Sequence, residues 1–251
     1  VSESASRVLD GRVVLVTGAH GGFGSAVALA CAQAGATVVL LGHKVPKLNR
    51  LYDRLSAVGP EPAIYPLDLE GASPDDHAEL AERLESSFGR LDGIVHCAAE
   101  FRGLTPTVHA DPADFARSIH IGLTAAGWLT QATLPLLGKS NDAAVVFTLD
   151  SPERVGAAYW GGYGVSQFGL QGAVRILHAE LANGPVRVAG LMPGPMRTTL
   201  RARAWVEETD RQAVDPSVYA PAVVTLLSES GRAHRGTIWS PTAAELATAV
   251  A

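Results

Sequence analysis

The chain has 251 residues, of which 47% are apolar and 18% charged, and its net charge is -5. That composition supplies a sizeable core and excludes intrinsic disorder, and with no lysine/arginine block it argues against nucleic acid or an anionic membrane as main partner. The length fits one α/β domain or two small ones.

Residues 12–17 (RVVLVT) are a short apolar run ending in glycines, followed by an alanine-rich helix to about residue 34, where Gly35 stops it. A second strand over 37–41 (TVVLL), a helix over 45–58, a third strand over 63–67 and a helix over 75–88 follow. The pattern then predicts a fourth strand over 91–96 (LDGIVH), a helical stretch over 111–137, and a strand over 143–148 (AAVVFT). A helix over 163–181, a strand over 186–191, a helix over 216–230 and a last short strand over 236–239 complete it.

Fully apolar strands alternating with helices call for a parallel sheet covered on both faces. The expected fold is therefore α/β: a single domain over 1–251, with a Rossmann-type doubly wound parallel sheet. Tails are expected at 1–10 and 241–251, the latter alanine-rich and either packed on a partner subunit or frayed. Residues 192–215 are too long for a simple connection and read as a substrate loop. Cys31 and Cys97 lack metal-ligand spacing and read as buried free thiols, and no metal is expected. Without an 18-residue apolar run or a charged-then-apolar leader, the expected location is cytoplasmic, with no membrane partner.

Gly18, Gly22 and Gly24 follow a strand and open a helix, in the segment Thr17-Gly18-Ala19-His20-Gly21-Gly22-Phe23-Gly24. In that context glycines permit a tight turn and close approach to a pyrophosphate, which the helix N-terminus favours with N–H groups and its dipole. The end of the second strand selects the dinucleotide. An acidic residue there would favour NAD, but this chain has Gly42-His43-Lys44. His43, Lys44 and His20 are the candidates to face a 2′-phosphate, which favours NADP over NAD. Asp68 and Leu69, after the third strand, are placed for the adenine edge. His96 reads as a satisfied hydrogen-bonding residue, and Tyr159 and Trp160 are expected to line the pocket or pack beneath the nicotinamide.

These residues resemble the short-chain dehydrogenase/reductase family from about residue 9 to 239. TGAHGGFG matches its Thr-Gly-x-x-x-Gly-x-Gly turn and Asp68-Leu69 its adenine-contacting pair. His96-Cys97-Ala98-Ala99 occupies the place of its Asn-Asn-Ala-Gly segment. Leu129-Thr130-Gln131 with Leu134-Pro135 is similar to its long interface helix, and Pro193-Gly194 through Thr198 to its motif near the nicotinamide. The resemblance implies a cofactor site including Ala98, Ala99, Pro193, Gly194 and Thr198. It also implies a homodimer or homotetramer built on helices around 111–137 and 160–181.

In that family a tyrosine donates the proton, a lysine four residues later lowers its pKa and holds the ribose, a serine polarises the substrate oxygen, and an asparagine supports a water relay. Carried over by position, the tyrosine is Tyr163, the lysine position is Gln167, the serine position is Asp150 and the asparagine position is Gly122. A cation at about 4 Å from a phenolate is worth on the order of 4 kcal/mol at an effective dielectric of about 20, roughly three pKa units. Gln167 supplies none of this, although its amide can hydrogen-bond the ribose. An ionised Asp150 raises the tyrosine pKa further and repels a developing oxyanion. Only three of the twenty basic residues are lysines, and Arg154 is the nearest substitute cation in sequence.

Three readings follow. In the first, a slow or unusual NADPH-dependent reductase acts on a small carbonyl or alcohol substrate with Tyr163 as acid and Asp150 either protonated or binding a polar substrate group. In the second, a catalytically impaired NADP(H)-binding sensor or scaffold keeps the fold for binding. The third is non-redox chemistry with Asp150 as general base.

Overall fold

The computed structural model describes residues 7–205 and 213–248. The apolar runs become strands β1 (Val13–Thr17), β2 (Thr37–Gly42), β3 (Ala63–Pro66), β4 (Gly93–His96), β5 (Ala143–Thr148), β6 (Val186–Leu191) and β7 (Ile238–Trp239). All pair in parallel in one sheet ordered β3-β2-β1-β4-β5-β6-β7. The helices are α1 (Gly22–Gln33), α2 (Val45–Ser56), α3 (Pro74–Phe88), α4 (Pro112–Ile119), α5 (Ala125–Leu137), α6 (Pro152–Val155), α7 (Gly161–Glu180), α8 (Ala220–Leu227) and α9 (Ala243–Thr248).

Every residue of β1 is buried because its side chains alternate between two apolar layers. Val14 and Val16 pack with Val27 of α1, Leu48 of α2 and Val223 of α8. Val13 and Leu15 pack with Leu80 of α3, Leu129 of α5 and Val174 of α7. The α/β doubly wound architecture is thus the expected one. Among the described residues no helix is long and apolar enough to cross a membrane.

Several boundaries differ from expectation. The stretch expected as one helix over 111–137 is interrupted by a π turn over His120–Thr124. There a Cβ on Gly122 would come within 2.8 Å of Ser166 Oγ, and one on Gly169 within 2.4 Å of Leu123. The turn therefore lets this segment press against α7 through glycines. The helix expected over 216–230 is only α8 flanked by 3-10 turns, because Ser228 is extended and Gly231 packs under the Leu226 carbonyl. Strand β4 starts at Gly93 because Asp92 turns inward to accept from Val13 N (2.9 Å), Ser140 Oγ (2.7 Å) and the Arg90 guanidinium. Helix α7 begins two residues earlier than expected, and β7 is shorter.

Both tails are partly tied down. Leu9 is in the core and its N–H donates to the Ala34 carbonyl, while α9 is capped reciprocally by Thr242 and Glu245 and buries Leu246. Residues 1–6 and 249–251 of the expected tails lie outside the described residues, as do 206–212 of the expected substrate loop. The remainder of that loop is held by a bridge between Met196 and Val214 and contains a 3-10 turn over Arg201–Arg203.

The sheet order places β1 between β2 and β4, so the connections leaving β1 and β4 diverge and open a crevice at the carboxyl ends of the strands. Thr17 Oγ1 braces its floor, accepting from Cys97 N (3.1 Å) and Ala98 N (3.2 Å).

Candidate active site

A cleft of about 760 Å³ opens over that crevice. It is lined at one end by Gly18, His20, Gly22, Phe23, Gly24, His43, Lys44, Asp68 and Leu69, and at the other by Ala98, Ala99, Asp150, Tyr163, Gln167, Pro193, Gly194 and Thr198. The structure thus brings these residues together from seven separate stretches of chain. Gly122 and Tyr159 do not line it. Tyr159 points outward, 55% exposed, with φ at 79°, so the expectation that it lines the pocket is corrected.

The glycine turn is dictated by close approach. Gly18 has φ at 61° and a Cβ there would meet Ala98 Cα at 2.9 Å, while a Cβ on Gly24 would meet the Gly18 carbonyl oxygen at 2.4 Å. The α1 N-terminus has no side-chain cap, which leaves its N–H groups to whatever enters the cleft. Beside it the rings of His20 and His43 meet edge to face at 4.7 Å, with Lys44 and Lys47 near. Burial, then His43 and the two lysines, lowers the His20 pKa to about 4. His20 Nδ1 is buried without a hydrogen-bond partner, set against Gly42, where a Cβ would come within 2.4 Å of it. His43 Nδ1 lies 3.8 Å from Asp68 Oδ1.

At the other end Tyr163 is buried and donates its hydroxyl to Asp150 Oδ2 at 3.1 Å. Asp150 Oδ1 accepts from Ser151 N (2.7 Å) and lies 3.4 Å from Arg154 Nε. The Asp150 backbone N–H donates to Gln167 Oε1 (2.8 Å), fixing the amide so that its NH₂ is left to donate elsewhere. Burial, then the charge and hydrogen bond of Asp150, push the Tyr163 pKa well up, with Arg154 opposing. Arg154 therefore faces the site, a point the sequence left open. Its direction comes from the short helix α6, which had no periodicity long enough to be seen.

His96 is buried, paired with Thr130 Oγ1 at 2.9 Å and stacked on Phe147, and burial lowers its pKa to about 3. It is the satisfied core residue expected. Cys31 is buried and Cys97 half-buried, both as free thiols. No metal-binding cluster occurs among the described residues.

Trp205 and Lys47 are among the lining residues that the reading of the sequence did not pick out. Trp205 closes one wall 5.6 Å from the Trp160 ring, which in turn stacks on Phe101 at 4.9 Å. Lys47 lies one turn after Lys44 at the start of α2, a helical spacing that could have pointed to it.

The family model for short chain dehydrogenases matches residues 12–209. The chain is 34% identical to the "uncharacterized oxidoreductase YciK" of Escherichia coli over 230 residues, 91% of each. A structure described as a short chain dehydrogenase from Pseudomonas syringae superposes with a TM-score of 0.90 at 38% identity, covering 96% of this chain and 98% of that one. Another, from Shigella flexneri and complexed with NADP, superposes with a TM-score of 0.89 at 33% identity, covering 94% and 98%. With a family model matched over residues 12–209 and relatives alike over more than nine tenths of its length, the chain belongs to the short-chain dehydrogenase family of oxidoreductases.

Proposed function

We propose that the protein is an NADP(H)-dependent oxidoreductase that reduces a small carbonyl substrate, with Tyr163 as proton donor in an atypical site. The observation that carries this reading is the buried, protonated Tyr163 facing the same cleft as the glycine turn.

The residues present fit a dinucleotide. The glycine cradle leaves no room for a Cβ, the α1 N-terminus is uncapped, and His20 Nδ1 is buried and unpartnered. In this reading Gly18, Gly22, Phe23 and Gly24 hold the pyrophosphate, and Asp68 and Leu69 the adenine. His20, His43 and Lys44 face a 2′-phosphate, which supports NADP over NAD, as does the NADP complex of the Shigella flexneri relative. Ala98, Ala99, Pro193, Gly194 and Thr198 surround the nicotinamide end. When bound, the reduced nicotinamide supplies a hydride. Tyr163 keeps its proton at neutral pH and delivers it to the carbonyl oxygen, while the Gln167 NH₂ holds the ribose in place of a lysine. Asp150 orients the Tyr163 hydroxyl, and residues 192–215, with Trp205 among them, form the substrate loop.

A homodimer or homotetramer is part of this proposal. It is supported by the exposed Val165, Phe168 and Ile176, which share one face of α7.

Calorimetric titration with NADPH and NADH is the first test, and micromolar NADPH binding with weaker NADH binding is expected. Tyr163→Phe should then keep that affinity and lose on the order of 10²-fold or more in carbonyl turnover. The pairing of Tyr163 with a carboxylate, and the neutral Gln167, favour one second reading: a sensor or scaffold that binds NADP(H) without turning it over. Tight NADPH binding with no turnover across a carbonyl panel would select it.

A further inference from the structure

The polarity of hydrogen bonding around Tyr163 is the wrong way round for a bare carbonyl oxygen. In the free protein the Tyr163 hydroxyl donates its hydrogen bond to Asp150 Oδ2, so the phenolic oxygen turns lone pairs to the cleft and the hydroxyl must swing away from Asp150 before it can donate to a carbonyl. The carboxylate beside it accepts only. Asp150 is also firmly placed, since Oδ1 is held by Ser151 N–H and Arg154, leaving Oδ2 on the side of Tyr163. A carbonyl oxygen, itself an acceptor, meets two acceptors there. As hydride adds to its carbon, negative charge also grows beside a carboxylate. A protonated C=N bond reverses both problems. Its N–H donates to the acceptors present, and its positive charge, attracted by Asp150, disappears on reduction.

A second observation points the same way. Next to Asp150 the cleft wall carries Trp160 and Trp205, and an aromatic surface beside a carboxylate is a recognition set for organic cations. One face of the Trp205 ring is taken by the Arg201 guanidinium at 4.2 Å, so the surface left to a substrate cation is the remainder of this wall. Of the other charges lining the cleft, Glu100 pairs with Arg102 and Arg203, each at 3.1 Å, Arg154 lies 3.4 Å from Asp150 Oδ1 and leaves Oδ2 facing Tyr163, and Arg197 and Arg201 line it too.

We infer that this site reduces a protonated cyclic imine in preference to the matching ketone, with Asp150 selecting the substrate. The inference rests on the hydride-transfer reading above and names its substrate class. The balance is simple. One hydride from the reduced nicotinamide bonds to the iminium carbon, the C=N π pair moves onto nitrogen, and the N–H proton stays. The products are a neutral secondary amine and the oxidised nicotinamide, and no proton is drawn from Tyr163 in that step.

The test compares 3,4-dihydroisoquinoline with 1-tetralone as substrates for the wild-type protein and Asp150→Asn, with NADPH. A parallel calorimetric titration measures 1,2,3,4-tetrahydroisoquinolinium, the product cation, on protein saturated with NADP⁺. The wild type should favour the imine at least tenfold in kcat/KM. Asp150→Asn should cut imine turnover and cation affinity at least tenfold while raising ketone turnover, and its NADPH affinity serves as the folding control. Ketone turnover without imine turnover overturns the inference and leaves the carbonyl reading intact. An equal loss on both substrates in Asp150→Asn, or cation binding indifferent to it, also overturns the inference. NADPH binding with turnover of neither substrate overturns the inference, and the carbonyl panel then decides the reading on which it rests.

Discussion

The two ends of the cleft are built differently. The glycine-turn end comes from three βα connections close to one another in the sheet, and its geometry is imposed by backbone sterics: Gly18 and Gly24 have no room for a side chain. The Tyr163 end is assembled from side chains on β5, α6, α7 and the 193–205 segment, held by hydrogen bonds and ion pairs among Asp150, Arg154 and Gln167. A backbone cradle tolerates almost no substitution, whereas a side-chain constellation can be exchanged group by group while the fold stands. In our reading this is how one half of the cleft keeps a familiar cofactor pattern while the other half carries unusual chemistry.

The largest expected effect tests the rigid end. Gly24→Ala puts a methyl against the Gly18 carbonyl, an overpacking cost of ~1–3 kcal/mol, so NADPH affinity should fall by roughly 10- to 100-fold in calorimetry. Unchanged affinity would show that the cradle is not where the cofactor sits.

Gln167→Lys sharpens the contrast at the exchangeable end. It places a cation near Tyr163 and should raise carbonyl turnover at neutral pH by about 10-fold, moving the alkaline limb of the pH profile down. It also removes the acceptor of the Asp150 N–H at a buried position, so the urea midpoint should drop, equivalent to ~1–3 kcal/mol. A rise in turnover without that loss of stability would mean the amide bond to Asp150 is unimportant.

A smaller effect concerns His20, whose pKa in the free protein is lowered to about 4. A 2′-phosphate beside it would raise that pKa, so the complex binds more protons than the free protein. Affinity for NADP⁺ should therefore strengthen a few-fold as the pH falls from about 7.5 toward 6, with proton uptake visible as a buffer-dependent heat. NAD⁺ should show neither effect, and His20→Gln should remove both. A pH-independent NADP⁺ affinity would place the phosphate elsewhere.

The smallest effect lies just outside the cleft. Tyr159 is held at positive φ with its ring largely exposed, so Tyr159→Gly should raise stability by ~1 kcal/mol in urea unfolding without changing NADPH affinity.

Most of the architecture was legible because local rules suffice for it. Short β-branched runs such as VVLVT specify buried parallel strands, and glycines after the first of them specify the turn. The legibility failed where close contact overrode periodicity. The stretch over 111–137 has a continuous helical pattern, yet the packing of Gly122 on Ser166 inserts a π turn. The pattern over 216–230 is likewise cut by the extended Ser228.

By itself, then, the sequence determined the sheet, the glycine cradle and the identity of the groups beside Tyr163, because backbone conformation and residue type are local properties. Only the tertiary structure decided that Arg154 turns to Asp150, that Asp150 accepts the Tyr163 hydrogen bond, that Gln167 braces the Asp150 backbone, and that Trp205 joins Trp160 in one wall. Those contacts join segments distant in the chain, and the direction of each side chain is settled by what packs around it.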